Sequence, residues 1–224
     1  MNPQISVLIT SYNSNDLLIS ALDSALSQTI PPKEILIVDD GSKIPTTELL
    51  INYDQNVKVI RQMNSGQGSA TNTAIRYSKH DLIAILDHDD YWPSNKLEWQ
   101  SKLLLETGAD IVVGSVINEW KYPNGESESK FMGIARVFGS CLIHRKAFDK
   151  VGFLDERTGI HEVIEWWSKA NNKIKVVTDP RLALFRRIHG KNMTLKSEHS
   201  DHKELLSRLR AHISTKEMKN GSTP

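Results

Sequence analysis

The sequence predicts one α/β domain: a mostly parallel sheet with helices on both faces, followed by a smaller, mixed second half. Three observations carry that reading. Apolar runs of strand length recur from residue 5 onward, segments with helical apolar spacing stand between them, and polar clusters follow three of the runs. Strands that alternate with helices are joined by crossovers, which make their neighbours parallel.

Taken in order, Ile5 to Thr10 is a short apolar run rich in β-branched residues, expected to be a buried strand. Asn15 to Gln28 places Leu17, Leu18, Ala21, Leu22, Ala25 and Leu26 on one helical face, with Ser14 or Asn15 as cap and Pro31-Pro32 as stop. Glu34 to Val38, Val57 to Ile60, Leu82 to Leu86 and Ile111 to Val113 read as the next four strands. Helices are expected at Ser69 to Tyr77 and from Trp92-Pro93 to about Glu106. Val116 to Lys121, the turn Pro123-Asn124-Gly125 and the stretch from Phe131 suggest a hairpin or a mobile loop. Short helices at His144 to Val151 and Glu162 to Ala170 precede a strand at Ile174 to Val177. Leucines 205, 206 and 209 then mark a helix over Asp201 to Ile213. Nothing divides the chain, so residues 1–215 read as one domain and 216–224 as a disordered tail.

A chain of 224 residues suits such a domain and buries enough surface to need no staples. Lys and Arg total 28 against 27 for Asp and Glu, which argues against a nucleic-acid partner. The single cysteine, Cys141, cannot close an intramolecular disulfide, as fits a reducing compartment. Val137, Phe138, Leu142 and Ile143 around it favour a buried structural thiol over a nucleophile. No run has the length of a signal peptide or membrane span, so the expectation is a cytoplasmic protein, with peripheral contact at the inner membrane face left open.

In open parallel sheets ligands bind beyond the carboxyl ends of the strands. Thr10-Ser11-Tyr12-Asn13, Asp39-Asp40-Gly41-Ser42 and Asp87-His88-Asp89-Asp90 all lie at such ends and would converge on one edge. The last is the sharpest signal. Carboxylates this dense repel one another, so they call for a cation or strong donors between them. Oxygen ligands at a strand end suit Mn2+ or Mg2+ shared with substrate phosphates. The competing reading is a charged turn capping the next helix.

With these motifs in place, the chain resembles the family 2 glycosyltransferases of the GT-A fold. The resemblance rests on Ile5 to Asn13, on EILIVDDGS from Glu34 to Ser42, and on LIAILDHDDYWPSNKL from Leu82 to Leu97. Gly66, Ala70, Asn72 and RKAFDKVGFLDE from Arg145 to Glu156 support it, and it covers roughly residues 4 to 190. It implies an inverting, metal-dependent enzyme of hexosyltransferase type that takes a nucleotide-sugar donor, UDP- or dTDP-linked. The implied acceptor is a glycan, lipid-linked or other hydroxyl, in synthesis of cell-surface polysaccharide or glycoconjugate.

Carried over by position, Tyr12 would stack on the nucleotide base with the Thr10 backbone nearby, unless it is an ordinary core aromatic. Asp39 would accept from a base N–H, Asp87 would sit near the ribose, and Asp89 would bind the metal. His189 would join the metal, and the basic pair with Arg187 would approach the diphosphate, although Arg186-Arg187 in a polar turn also suits a solvated surface. Glu162 would be the general base, with Glu165 as competitor three residues on and His161 where the family has another acid. Thr71 departs from the arginine the family commonly has before Asn72, and the Gln-x-x-Arg-Trp signature of processive synthases is absent, so single-sugar transfer is expected. A catalytically silent nucleotide-sugar or glycan-binding module is the rival, distinguished by binding without turnover. A nicotinamide dehydrogenase would need a glycine-rich turn where Thr10 to Asn13 stands.

Overall fold

A computed structural model of the chain describes residues 3–14, 16–51, 53, 57–122, 125–156 and 161–189. Eight strands form one sheet. Four of them, β1 (Ile5–Ser11), β2 (Glu34–Asp39), β3 (Val57–Arg61) and β4 (Leu82–Asp87), are mutually parallel in the order β3-β2-β1-β4. The sheet continues through β7 (Cys141–His144), antiparallel to β4, then β5 (Ile111–Lys121), antiparallel to β7. On one side of β5 the antiparallel β6 (Ser127–Ile134) completes a hairpin; on the other, β8 (Val176–Ile188) runs parallel to it. A parallel first half and a mixed second half are what the sequence predicts.

The period-two alternation of buried strands sorts the core into two layers. Ile5, Val7 and Ile9 of β1 pack with Leu18, Leu22 and Ala25 of α1 (Asp16–Leu26) and with Leu97 and Leu104 of α4 (Lys96–Thr107). Leu8 faces the other way, into Ala70, Ala74 and Ile75 of α3 (Gln67–Tyr77). The same layer holds Phe148 of α5 (Lys146–Val151) and Trp166 of α6 (Glu162–Ala170). Helices therefore cover both faces. No helix among the described residues is long and apolar enough to cross a membrane.

The structure departs from the sequence expectation at four places. A short α2 (Thr46–Leu49) and β7 both arise where no element is expected. Helix α4 starts at Lys96 instead of Trp92, because Pro93 to Asn95 turn first and Trp92 sends its Nε1–H to the Gly139 carbonyl at 2.8 Å. Strand β8 runs on to Ile188, well past Val177. Asp179-Pro180 resembles a stop, but the β5–β8 register slips beside Ser115, and such a bulge lets a strand carry a proline. The helix expected at 201–213 and the tail at 216–224 lie outside the described residues. Cys141 is fully buried and its thiol is pushed up to about 12 by that burial, so it is the inert packing group its neighbours imply.

Candidate active site

Register brings the three polar clusters together: Thr10 lies beside Val38 and Asp87, and Ser11 beside Asp39. The end of β1 is thus flanked by an acid on each side.

Asp39 is fully buried and organises the turn after β2. One oxygen accepts from the Ser42 N–H at 2.9 Å, the other from the Thr46 N–H and Arg61 Nη1, both at 3.0 Å. Burial alone would raise this carboxyl; those hydrogen bonds and the Arg61 charge outweigh it and hold Asp39 below its ordinary value. Asp40 accepts from Gln62 Nε2 and from the Ser65 and Gly66 N–H groups, fixing the loop that leads into α3. Gly41 takes φ +77°, and a Cβ there would stand 2.7 Å from the Asn64 nitrogen, so the turn between these strands requires glycine. Tyr12 is 49% exposed, which removes the core-aromatic reading and leaves its ring open to a ligand. Thr10 is buried, and its backbone is hydrogen-bonded to the His88 side chain.

At the end of β4, Asp87 accepts from Gln67 Nε2 at 2.7 Å. Burial and the Asp89 charge push it up to about 6, against the Arg186 charge and the Gln67 bond. Asp90 is buried, accepts from the Arg187 N–H, and is held well above the carboxylate range by burial and by both neighbouring aspartates. Asp89 Oδ2 lies 3.2 Å from His189 Nε2, joining residues 100 positions apart in the chain. An octahedral ion with ligands at about 2.1 Å spaces adjacent donors by about 3 Å, so this carboxylate–imidazole pair fits two positions of Mn2+ or Mg2+. No group of three or more His, Cys, Asp or Glu side chains placed to hold a metal occurs among the described residues.

The two adjacent arginines divide. Arg187 lies 4.4 Å over the Tyr91 ring and donates to Ser20 Oγ and the Asp89 carbonyl, so its guanidinium braces the acidic turn from outside. Arg186 is the cation whose charge reaches Asp87 and Asp90.

Opposite the acids stands α6. Glu162, its first residue, is 2% exposed, and its Oε2 meets no hydrogen-bond partner among the described residues. Burial, then the Asp87 and Glu165 charges, push it up to about 7 despite a hydrogen bond from its own backbone. A Cβ on Gly68 would lie 3.4 Å from the Glu162 Cγ, so the first turn of α3 packs directly on this side chain. The helix is held from behind: the Trp166 ring meets Phe138 and Phe148, each at 5.3 Å, and its Nε1–H donates to the Gly152 carbonyl. Asn72 fixes the approach to α6 by donating to the Leu154 carbonyl and Glu156 while accepting from the Leu154 N–H. Asn72→Ala strands two buried backbone groups and is expected to cost about 2–4 kcal/mol, read as a lower midpoint in urea denaturation. An unchanged midpoint would remove Asn72 from this role.

Gln67 and Arg61 are the site residues that the sequence reading passes over. Their signal is position: Arg61 ends the strand beside Asp39, and Gln67 follows Gly66.

Comparison with known proteins gives the family and the fold. The model of glycosyl transferase family 2 matches residues 6–134. An uncharacterised glycosyltransferase of Rickettsia prowazekii is 28% identical over 211 residues, covering 86% of this chain and 66% of its own length. The Escherichia coli UDP-Glc:alpha-D-GlcNAc-diphosphoundecaprenol beta-1,3-glucosyltransferase WfgD is 32% identical over 143 residues, covering 62% of this chain and 54% of its own. S. aureus TarS 1-349 in complex with UDP superposes with a TM-score of 0.67 at 22% identity, over 83% of this chain and 60% of that one. The TarS likeness is one of fold, the GT-A-like architecture, and the chain spans only 54–66% of the length of these three proteins. Matched by the family model over more than half of its residues, and by relatives named as glycosyltransferases, the chain belongs to glycosyl transferase family 2.

Proposed function

We propose that this chain transfers one sugar, with inversion, from a uridine- or thymidine-diphosphate donor to a hydroxyl of a glycan or lipid-linked acceptor in cell-surface polysaccharide synthesis. The observation that carries the reading is Glu162, a buried carboxyl poised near neutrality, standing across from the Asp87 to Asp90 turn. A base whose proton affinity matches the working pH is what removal of a hydroxyl proton requires. The relatives support the donor and acceptor classes: TarS is solved with UDP and with UDP-GlcNAc, and WfgD is named for a UDP-glucose donor and a diphosphoundecaprenol-linked acceptor.

Tyr12 and Asp39 take the base, the Thr10 backbone and Asp87 the ribose, and Arg186 the diphosphate side, while Arg187, expected there from sequence, is held over Tyr91 and braces the turn. Asp89 and His189 would hold Mn2+ or Mg2+, which would supply positive charge to neutralise the departing diphosphate. Glu162 accepts the acceptor hydroxyl proton as the new C–O bond forms on the face opposite the diphosphate. The bond from the anomeric carbon to the diphosphate oxygen breaks, and its electron pair leaves with the diphosphate.

Incubation with UDP- and dTDP-sugars, manganese and candidate acceptors tests the reading by release of nucleoside diphosphate. Donor binding without any turnover would sink it in favour of a silent binding module. Base selection is tested separately. An imide N–H adds to Asp39 a charge-assisted hydrogen bond that a mismatched base does not make, worth about 1–3 kcal/mol. UDP and dTDP are therefore expected to outcompete ADP and GDP by about tenfold or more in calorimetric competition. Equal affinity for purine diphosphates would end the pyrimidine assignment.

A further inference from the structure

Strand β6 is built unlike the rest of the sheet. It stands at one end of the strand order and pairs only with β5 among the described residues. Within Lys130-Phe131-Met132-Gly133-Ile134-Ala135-Arg136, Phe131 is 62%, Met132 47% and Ile134 45% exposed. Such a cluster on the surface marks an interaction site more often than a stray residue does. The segment also carries two cations and no acid.

Apolar–polar alternation fails here for a visible reason. The β5–β6 register slips between Val116 and Ile117, and Gly133 takes φ +72° at the slip. A bulged edge resists pairing with another strand, which disfavours a second copy adding to it. Past β6, Arg136 lies 5.3 Å over the ring of Trp167 on α6. Ile164, one turn before Trp167 on the same side of that helix, is 49% exposed. The apolar and cationic surface thus leads from the hairpin to the helix that carries Glu162.

Apolar side chains bracketed by cations suit anionic lipid headgroups over acyl chains. We propose that the carboxyl end of β6, from Lys130 onward and clear of Glu126 and Glu128, docks with the Ile164 side of α6 on an anionic membrane surface, holding the domain close to a lipid-carried acceptor. The purpose of this docking rests on the sugar transfer proposed above; the docking itself does not.

The test is co-sedimentation of the full chain with phosphatidylglycerol-containing vesicles and with pure phosphatidylcholine vesicles, at low and high salt. The parent is expected to partition at least about tenfold better onto the anionic vesicles, and less so as salt rises. Combined Phe131→Ser, Met132→Ser and Ile134→Ser should lower partitioning by about tenfold or more. Lys130→Gln with Arg136→Gln should abolish the anionic preference. Unchanged circular dichroism and UDP affinity in each variant establish that the fold is intact. The proposal is overturned if the parent ignores both vesicles, or if the apolar triple variant partitions as the parent does. A dimeric parent that becomes monomeric on the triple substitution, with no vesicle binding, would assign the face to a second copy instead. Vesicle binding without sugar transfer leaves docking standing and sinks the transfer; transfer to soluble acceptors without vesicle binding sinks docking alone.

Discussion

Asp89→Ala is expected to weaken UDP binding in the presence of manganese by about 100-fold while leaving binding in chelator unchanged. The asymmetry follows from the geometry. Asp89 and His189 face each other at 3.2 Å, and in the proposed mechanism they share an ion with the diphosphate. A hard divalent cation takes most of its protein-derived binding from the carboxylate, so His189→Ala should cost less, about tenfold. The same substitution gives an independent reading in the metal-free protein. The Asp89 charge helps push Asp87 and Asp90 upward, so its removal relieves like-charge repulsion and should not lower the metal-free thermal midpoint. Calorimetric titration of UDP into the parent, Asp89→Ala and His189→Ala, with manganese, magnesium or chelator, checks both. Equal UDP affinity under every condition would remove Asp89 from any metal site.

What the sequence makes legible, and what it hides, follows from how local each signal is. Strands β1, β2 and β4 declare themselves because burial on both faces makes them almost continuous apolar runs, with polar residues mostly at their ends. Helix α6 is readable to the residue, since apolar spacing and an acidic first turn coincide. Strand β8 is hidden by Asp179-Pro180, a local stop signal that pairing with β5 overrides. That miss propagated to the site. Read as a polar turn, the pair approaches the diphosphate together, with Arg187 the contact; placed on a strand, neighbours point to opposite sides, so Arg186 sends its charge to Asp87 and Asp90 while the Arg187 guanidinium lies over Tyr91. The convergence of the three strand ends is legible because parallel order forces it. The contacts of Gln67 with Asp87 and of Asn72 with Leu154 are not, since a polar residue in a helix has many partners open to it and only tertiary packing chooses.

Glu162→Gln is expected to lower kcat by about 10²–10⁴-fold while leaving UDP affinity nearly unchanged. The amide keeps the shape and one acceptor oxygen but cannot take a proton. Because burial and nearby charges push the parent's carboxyl up to about 7, its rate should climb as pH rises through 7 and level off above it. The residual rate of the variant should lack that limb. Stability moves the other way. Folded Glu162 keeps its proton to higher pH than the unfolded chain, whose carboxyl titrates near 4.5. Its contribution is therefore fully present below 4.5 and lost as pH rises to about 7, a loss on the order of 3 kcal/mol. Glutamine has no such titration, so the variant should melt above the parent at pH 8 and near it at pH 4.5. A residue with a purely structural role would not combine higher stability with collapsed turnover at the same pH. Glu165→Gln, one turn along the helix, is the control and should retain activity. If Glu165→Gln abolishes turnover and Glu162→Gln does not, the base is Glu165; if neither matters, the proton leaves by a group outside α6.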